Sequence, residues 1–254
     1  MADVMFIHGA ADSGAIWEHQ VRRFEGDHRV LALDLPGHGV RLMERAFDEI
    51  AANAAEVVRL AREHGMEHPV LVGHSMGGAT AIEVALSYPG VARGLVLAGS
   101  GARLRLRPEM IESARRRAEE SEPGRVVERL VTLELAVSPH ASSAVRAWLR
   151  ERFGQATGQA VLGDFLATNG FDCLDRVREI HLPTLIIAGE DDLWTPPRFQ
   201  QYLAEHIAGS RLVLLPGTGH YPFVERADQF NQEMARFLEE CGEERGQETE
   251  PSQG

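Results

Sequence analysis

The sequence predicts an α/β fold, in which a doubly wound, mostly parallel sheet of about six strands carries a helical insert. Short runs that are nearly continuous in Val, Ile and Leu end at Gly or Pro, and helical patterns alternate with them. Continuous rather than alternating hydrophobicity indicates strands buried on both faces, as in a parallel sheet covered by helices. Between residues 108 and 177 no such run occurs, so this segment is predicted to leave the sheet.

The individual strands are predicted where an apolar run reaches a turn residue. In chain order the runs are VMFIHG, RVLALDLPGHG, PVLVGHS, GLVLAGS, TLIIAGE and RLVLLPGTGH. Helical spacing of apolar residues predicts the intervening helices at 16–24, 44–63, 76–87, 197–206 and 226–238. This alternation favours a doubly wound parallel sheet.

The pattern indicates one compact domain with a cap, not two independent domains. Residues 1–107 and 178–240 are assigned to the core. Residues 108–177 contain only amphipathic segments, such as GRVVERLVTLELAV and SSAVRAWLRERF, and are expected to lie over the carboxyl edge of the sheet as a lid. Residues 241–254 form an acidic tail that is predicted to be disordered, because it is polar and contains Gly and Pro.

Composition excludes several classes of protein. The formal net charge of −12 argues against nucleic-acid binding, because the neutralisation of phosphates needs a basic face. The two cysteines provide neither a disulfide framework nor a metal-ligand spacing, which favours a reducing, cytoplasmic environment. No apolar run approaches the length of a membrane span, and the first residues lack the pattern of a signal peptide.

A single Ser lies between glycines where the third strand meets a helix. The stretch GHSMGG contains a G-x-S-x-G motif centred on Ser75. Such a sharp turn holds the central Ser in a strained conformation above the sheet, and small neighbours let strand and helix pack closely. The other interpretation is that Ser75 only caps the following helix.

Candidate partners for this Ser follow the last two strands. The stretch GEDDLWTP offers Asp191 and Asp192, and TGHYPFVE offers His220. A serine nucleophile needs a general base and a group that orients the base, and sites in open α/β sheets form at the carboxyl ends of the strands. The chain order of Ser, acid and His therefore favours the nucleophile over the helix cap.

Five motifs in this order resemble those of the α/β-hydrolase superfamily. The chain is similar to its small, cap-bearing serine esterases and enol-lactonases in FIHGAADSGAIWEHQ, LDLPGHG, GHSMGG, GEDDLWTP and GTGHYPFVE. The similarity covers nearly the whole chain except the cap and the acidic tail. Because the first strand lies close to the first residue, we expect the hairpin of fuller members to be missing and the sheet to have six strands.

The resemblance implies a role for each residue that matches a family motif. Ser75 is expected to be the nucleophile and His220 the general base. The family's G-x-x-D spacing selects Asp192 as the acid of the triad, and Asp191 is then expected to be a solvated turn residue.

Backbone groups are expected to form the oxyanion hole of this site. The resemblance assigns the N–H of Met76, directly after the nucleophile, and the N–H of Ala10, which follows the HG of the first strand. Gly9 would let the backbone approach the substrate closely. His38 and His74 also lie in motifs, and both are interpreted as structural.

The substrate contacts are expected from the cap and from the loops around the site. Aromatic side chains could form an apolar wall, and the alternative for each is packing in the cap or core; they are Trp148, Phe165, Phe171, Trp194, Tyr221 and Phe223, with Phe171, Trp194 and Tyr221 taken as candidates. In ARLRLRP, alternation places Arg103, Arg105 and Arg107 on one face of an extended segment. Arg105 is the candidate for a bidentate contact with a substrate carboxylate. The alternative is a solvated stripe that balances nearby acids.

The implied reaction is hydrolysis of a carboxylic ester through an acyl-enzyme, with no metal and no organic cofactor. Ser in place of Asp at the turn argues against dehalogenase and epoxide hydrolase chemistry. The expected partner is a small-molecule ester, and the expected assembly is a monomer or homodimer. Two alternatives stay open: a lactonase or C–C bond hydrolase or lyase that uses the same triad, and a non-catalytic small-molecule receptor of this fold.

Overall fold

The computed structural model describes residues 1–120, 133–152 and 156–248. Its strands are β1 Asp3–Ile7, β2 Arg29–Leu33, β3 Val70–His74, β4 Gly94–Ala98, β5 Thr184–Gly189 and β6 Arg211–Leu215. They form one sheet in the order β2-β1-β3-β4-β5-β6, and every neighbouring pair is parallel. The predicted fold class and the expected number of strands are confirmed.

Helices follow most strands and cover both faces of the sheet. Among the described residues they are α1 Glu18–Phe24, α2 Ile50–Glu63, α3 Met76–Ser87, α4 Pro108–Glu120, α5 Leu133–Ala136, α6 Ser143–Arg152, α7 Gly158–Gly170, α8 Pro197–His206, α9 Pro222–Glu225 and α10 Ala227–Glu248. The bounds of α3 and α8 agree with those predicted from the sequence. No described helix is both long and apolar enough to cross a membrane.

Three predicted helices have different bounds in the structure. The helix predicted from residue 16 begins at Glu18, after a short 3-10 helix at Gly14–Trp17. The helix predicted from residue 44 begins at Ile50, because the preceding segment is held by other contacts: Arg41 pairs with Glu44, and the carbonyl group of Phe47 lies against Gly163 of α7. At the other end of the chain, α10 continues to Glu248. The first part of the tail that was predicted to be disordered is therefore helical, and residues 249–254 lie outside the described residues.

The core lies on both faces of the sheet because alternate side chains of each strand point to opposite sides. Every residue of β3, β4 and β5 is buried, as their continuous apolar sequences require. On one face Met5 and Leu71 join a cluster with residues of α2 and α3. On the other face Phe6 and Val72 join a cluster with Phe230 of α10.

The insert between β4 and β5 consists, where described, of helices α4 to α7. Helices α4 and α7 pack against each other, and a small apolar cluster that includes Ala114, Ala160 and Phe165 joins them to Ala11 in the loop after β1. The insert thus contacts a loop at the carboxyl edge of the sheet. The first part of the amphipathic segment GRVVERLVTLELAV, up to residue 132, lies outside the described residues.

Candidate active site

Ser75 lies at the sharp turn between β3 and α3. Its backbone has φ of +50° and ψ of −113°, a conformation that residues other than Gly rarely adopt. The turn needs glycines because a Cβ at Gly73 would come within 2.3 Å of the carbonyl oxygen of Gly77. A Cβ at Gly77 would come within 2.2 Å of the carbonyl oxygen of Ile7. Within the described residues, the Ser75 side chain forms no capping hydrogen bond with α3, so the cap interpretation has no geometric support.

A buried hydrogen bond joins the two predicted partners of this Ser. Nδ1 of His220 donates to Oδ2 of Asp192 at 2.8 Å, and both side chains are almost completely buried. The other carboxylate oxygen of Asp192 accepts the backbone N–H groups of Trp194 at 2.8 Å and Thr195 at 2.9 Å. These bonds fix the carboxylate, and the bond from Nδ1 leaves Nε2 of His220 as the basic nitrogen.

The backbone of His220 is supported on both sides. Its N–H donates to the carbonyl oxygen of Ala136 in α5 at 2.6 Å. Its carbonyl oxygen accepts a hydrogen bond from Nε2 of His74 at 2.9 Å. The residue before Ser75 and a residue of the insert therefore both hold the loop that carries His220.

A carboxylate that sequence reasoning missed fixes the same loop. Glu225, in α9, accepts the N–H groups of Gly219 at 3.0 Å and Tyr221 at 3.2 Å, on either side of His220, and that of Ser138 at 2.9 Å. Burial raises the pKa of Glu225 above its ordinary value, even though these N–H groups favour the charged form. The available signal was its place in HYPFVE, five residues after the His.

Two buried titratable groups near His220 have shifted pKa values. Burial raises the pKa of Asp12 well above its ordinary range, and the hydroxyl group of Tyr221 donates to this carboxyl group at 3.3 Å. Burial also lowers the pKa of His74 well below its ordinary value, and the neighbouring His220 lowers it further. His74, which packs against His220, and Asp12, which Tyr221 contacts, thus both favour their uncharged forms.

The two expected oxyanion donors lie beside Ser75. Met76 is the first residue of α3, where helix N–H groups have no partner within the helix. Ala10 belongs to a turn in which the N–H of Asp12 donates to the carbonyl oxygen of Gly9 at 3.3 Å. Ala10 and Ser75 line the same cavity.

That cavity has a volume of about 30 Å³ and brings together most of the residues predicted from the sequence. Its described lining consists of Ala10, His74, Ser75, Ala136, Phe165, Trp194, His220 and Tyr221. Of the candidate substrate contacts, Trp194 and Tyr221 are therefore at the cavity. Phe165, which the sequence grouped only among the aromatic alternatives, and Ala136 reach it from the insert.

Two candidate substrate contacts lie elsewhere in the described structure. Phe171 is buried in a core cluster, and Arg105 is occupied by structural hydrogen bonds. Nη1 of Arg105 donates at 2.8 Å to the carbonyl oxygens of Leu104, Asn169 and Phe171. Its Nη2 donates to Asp172 at 3.0 Å. The structure therefore brings neither residue to the cavity. Phe171 is held by the core, and Arg105 is held by the carbonyl groups at the end of α7.

The two remaining aromatic alternatives are absent from the described lining of the cavity. Phe223 stacks on Trp17 with ring centroids 4.0 Å apart, and Trp148 stacks on His19 at 4.8 Å. Asp191, expected to be solvated, is half-buried and accepts a hydrogen bond from the hydroxyl group of Ser138 at 2.5 Å. Packing in the cap or core therefore accounts for the two aromatic side chains, and Asp191 is not a solvated turn residue.

Comparison with known proteins agrees with the fold. The model of the alpha/beta hydrolase family matches residues 4–233. The chain belongs to this family. It is 28% identical over 244 residues to the pimeloyl-[acyl-carrier protein] methyl ester esterase of Neisseria meningitidis serogroup C, covering 93% of each protein. The resemblance inferred from the five motifs is confirmed.

Solved structures of this hydrolase family superpose on nearly the whole chain. A thermophilic esterase from Thermogutta terrifontis has a TM-score of 0.82 and 25% identity, covering 95% of this chain and 90% of that one. Est816, described as an N-acyl homoserine lactone degrading enzyme, has a TM-score of 0.76 and 26% identity, covering 93% of each chain. The family and its esterase relatives support an ester-hydrolysing enzyme.

Proposed function

We propose that the chain is a serine hydrolase that cleaves carboxylic esters through an acyl-enzyme. The observation that carries the proposal is the 2.8 Å hydrogen bond between His220 and Asp192, beside a cavity that Ser75 also lines. In this arrangement Ser75 is the nucleophile, Nε2 of His220 is the general base, and Asp192 orients the imidazole. The esterase relatives lend independent support.

The proposed reaction has two halves that use the same base. Oγ of Ser75 attacks the acyl carbonyl carbon while Nε2 of His220 takes the hydroxyl proton. The tetrahedral oxyanion is stabilised by the N–H groups of Ala10 and Met76, and it collapses when His220 protonates the leaving alcohol. A water molecule, deprotonated by His220, then attacks the acyl-enzyme, and His220 returns the proton to Oγ of Ser75 as the bond between the acyl group and Oγ breaks and the acid is released.

Asp192 acts in this proposal through the tautomer and charge of the base. Its carboxylate accepts Nδ1–H of His220, which selects the tautomer of the neutral imidazole with its lone pair on Nε2 and stabilises the imidazolium that forms. The N–H groups of Trp194 and Thr195 hold the carboxylate, so the imidazole keeps its orientation during the reaction.

The substrate contacts belong to the proposal as well. Trp194 and Tyr221 of the core and Phe165 of the insert would contact the apolar part of the ester. The curated relatives are named for hydrolysis of a methyl ester, so methyl esters with acyl chains of different length belong in the substrate panel. The cap would thereby contribute to the choice of substrate.

The proposed setting is the cytoplasm, with the protein acting as a monomer or homodimer on a small molecule and not on nucleic acid. Both cysteines are buried, and burial raises the pKa of the Cys173 thiol to about 12. An unreactive free thiol suits a reducing compartment. Size-exclusion chromatography with light scattering would measure the assembly directly.

The test is hydrolysis of p-nitrophenyl esters from acetyl to decanoyl by the wild type and by Ser75→Ala. Ser87→Ala, at the opposite end of α3, is the matched control. The wild type and the control should turn over with a burst of nitrophenol, and Ser75→Ala should lose at least about 10³-fold in kcat. Retention of most activity by Ser75→Ala would refute the assignment.

A second candidate is a lactonase that uses the same residues. It is favoured by the similarity to Est816, which is described as degrading N-acyl homoserine lactones. Adding such lactones and β-diketones to the panel separates the candidates by kcat/KM. Higher values for lactones would reassign the substrate, and C–C cleavage of β-diketones would reassign the bond. Ligand binding without turnover of any substrate would indicate a receptor.

A further inference from the structure

A carboxylate of the insert contacts the turn that carries Ala10. Asp164 lies in α7 and is 2% exposed. Its Oδ2 accepts the backbone N–H of Ala11 at 2.8 Å. Phe165, the next residue of α7, lines the cavity that contains Ser75. One helix of the insert therefore contacts both the cavity and the turn beside it.

The hydrogen bond from Ala11 supports an unfavourable backbone conformation. Ala11 has φ of +63°, in the left-handed region where a Cβ is disfavoured and Gly is the usual residue. It occupies the third position of the turn closed between Gly9 and Asp12, where a positive φ defines a type II turn. Because Asp164 accepts this N–H, it favours the turn geometry that also sets the direction of the Ala10 N–H.

The same carboxylate oxygen is held from the other side by His38. Nε2 of His38 donates to Oδ2 of Asp164 at 2.9 Å, and Nδ1 of His38 lies 3.0 Å from the carbonyl oxygen of Pro36. The N–H of Thr157, which caps α7, donates to the carbonyl oxygen of Gly37 at 3.3 Å. The loop after β2 thus fixes both the beginning of α7 and its buried carboxylate.

We propose that Asp164 is a positioning residue of the oxyanion hole, which makes the geometry of that hole depend on the docking of α7. The inference rests on the proposed function, since it takes the N–H of Ala10 as an oxyanion donor. Asp164 does not touch the reacting atoms; it acts through the peptide group between Ala10 and Ala11. With α7 displaced, the turn would lose its support, and the enzyme would lose stabilisation of the tetrahedral intermediate.

The test compares Asp164→Ala and Asp164→Asn with the wild type, and uses Glu18→Gln as the matched control. Glu18 of α1 pairs with Arg152 of the insert at 2.6 Å, so its replacement breaks an ion pair between the insert and the core without touching the turn. The readouts are kcat and KM for p-nitrophenyl butyrate and the affinity of phenylboronic acid, which forms a tetrahedral adduct with an active Ser.

Removal of the carboxylate is expected to lower kcat while leaving KM nearly unchanged. For Asp164→Ala we expect a loss of about 10- to 100-fold in kcat and a parallel loss of boronate affinity, since removal of a whole oxyanion donor costs about 10²- to 10³-fold. Asp164→Asn keeps one acceptor oxygen and should lose about threefold to tenfold. Glu18→Gln should retain both the kcat and the boronate affinity of the wild type.

A rescue experiment distinguishes positioning from general stability. Ala11→Gly removes the penalty of the positive φ, so it should restore part of the lost kcat in the Asp164→Ala background. A purely structural role of Asp164 predicts that thermal stability changes while kcat and boronate affinity do not. That result would overturn the inference. If Asp164→Ala does not fold, the kcat and boronate affinity of Asp164→Asn provide the same test.

The two proposals fail in different ways. If the wild type hydrolyses esters and both Asp164 variants match it in kcat and boronate affinity, the inference is wrong and the proposed function stands. If the wild type hydrolyses no ester but binds phenylboronic acid through Ser75, the proposed function is wrong. The boronate affinities of the Asp164 variants then test the inference. If it neither hydrolyses esters nor binds the boronate, both proposals are wrong.

Discussion

Nε2 of His74 donates to the carbonyl oxygen of His220 at 2.9 Å, so the residue before Ser75 supports the backbone of the imidazole that Ser75 needs. The rings of the two histidines also pack against each other, with centroids 4.6 Å apart. His74 is 1% exposed, and burial favours its neutral form, in which only one ring nitrogen carries a hydrogen and can donate. The nucleophile turn and the base loop are thereby linked directly.

This contact predicts a selective effect of replacing His74. His74→Ala should lower kcat for ester hydrolysis by about tenfold or more, because a small displacement of a catalytic group has a large effect on rate. KM should change by much less. His74→Gln, whose amide nitrogen can donate to the same carbonyl oxygen, should retain more of the wild-type kcat. Equal losses in the two variants would show that the hydrogen bond is not what matters.

Adjacent acids after β5 provide an internal comparison for the triad. Asp192→Asn preserves the shape of the side chain but favours the wrong tautomer of His220, so kcat should fall by about 10⁴-fold. Asp191→Asn should cost far less, since Asp191 accepts a hydrogen bond from Ser138 and is absent from the described lining of the cavity. Steady-state kinetics of both variants measures the difference. A larger loss in Asp191→Asn would mean that Asp191, and not Asp192, is the acid of the triad.

His8 predicts a loss of stability in mild acid. Burial lowers the pKa of His8 to about 3, and Nε2 accepts the N–H of Leu35 at 3.1 Å. Because the pKa is depressed in the folded state, the unfolded chain takes up a proton near pH 6.5 that the folded chain refuses, so stability falls as the pH decreases from about 6.5 towards 3. The contribution is about 1.4 kcal/mol per pH unit, or about 2 kcal/mol at pH 5.

Urea unfolding at pH 7 and pH 5 measures this contribution. His8→Gln removes the titrating group, so the variant should be less stable than the wild type at pH 7 but should lose about 2 kcal/mol less between the two values. His38 acts in the opposite sense: burial lowers its pKa, but the charge and hydrogen bond of Asp164, together with backbone hydrogen bonds, raise it above its ordinary value. An identical pH dependence in both proteins would contradict the assignment to His8.

The nucleophile turn predicts strong selection for glycine at residue 77. In Gly77→Ala the new methyl group would lie 2.2 Å from the carbonyl oxygen of Ile7, which belongs to a central strand and cannot move away. We expect a loss of about 3 kcal/mol in the free energy of unfolding, or no folded protein. Gly26→Ala is the control, because a Cβ there meets nothing within 4 Å. Similar stability of the two variants would refute this account of the turn.

The sequence was sufficient for the sheet and for the strand-end residues because both follow from local patterns. Buried parallel strands have continuous apolar sequences, and a parallel sheet brings their carboxyl ends to one edge, where Ser75, Asp192 and His220 lie. Phe47 illustrates the limit. Its segment has helical spacing, but contact with Gly163 of the insert holds it outside α2. No local pattern contains that information.

The buried carboxylates were missed for a related reason. Asp164 lies on a helix and Glu225 in a short turn, where isolated acids usually face solvent. Their partners are backbone N–H groups, which every residue except Pro carries, and Ala11 is 153 positions from Asp164 in the chain. At Arg105 the sequence left two interpretations open, and the structure agrees with the solvated stripe: the side chains of Arg103 and Arg105 are exposed and pair with Asp172. The alternation in ARLRLRP indicated the face of Arg105 correctly, but carbonyl groups of the insert occupy that face in the folded chain.

The most direct test of the central claim is covalent labelling of Ser75. A fluorophosphonate phosphonylates a Ser only where a base activates it and an oxyanion hole accepts the adduct. Intact-mass and peptide mass spectrometry should find one label on the wild type, located at Ser75, and none on folded Ser75→Ala. A label on a different residue, or an unlabelled wild type that still hydrolyses esters, would contradict the account.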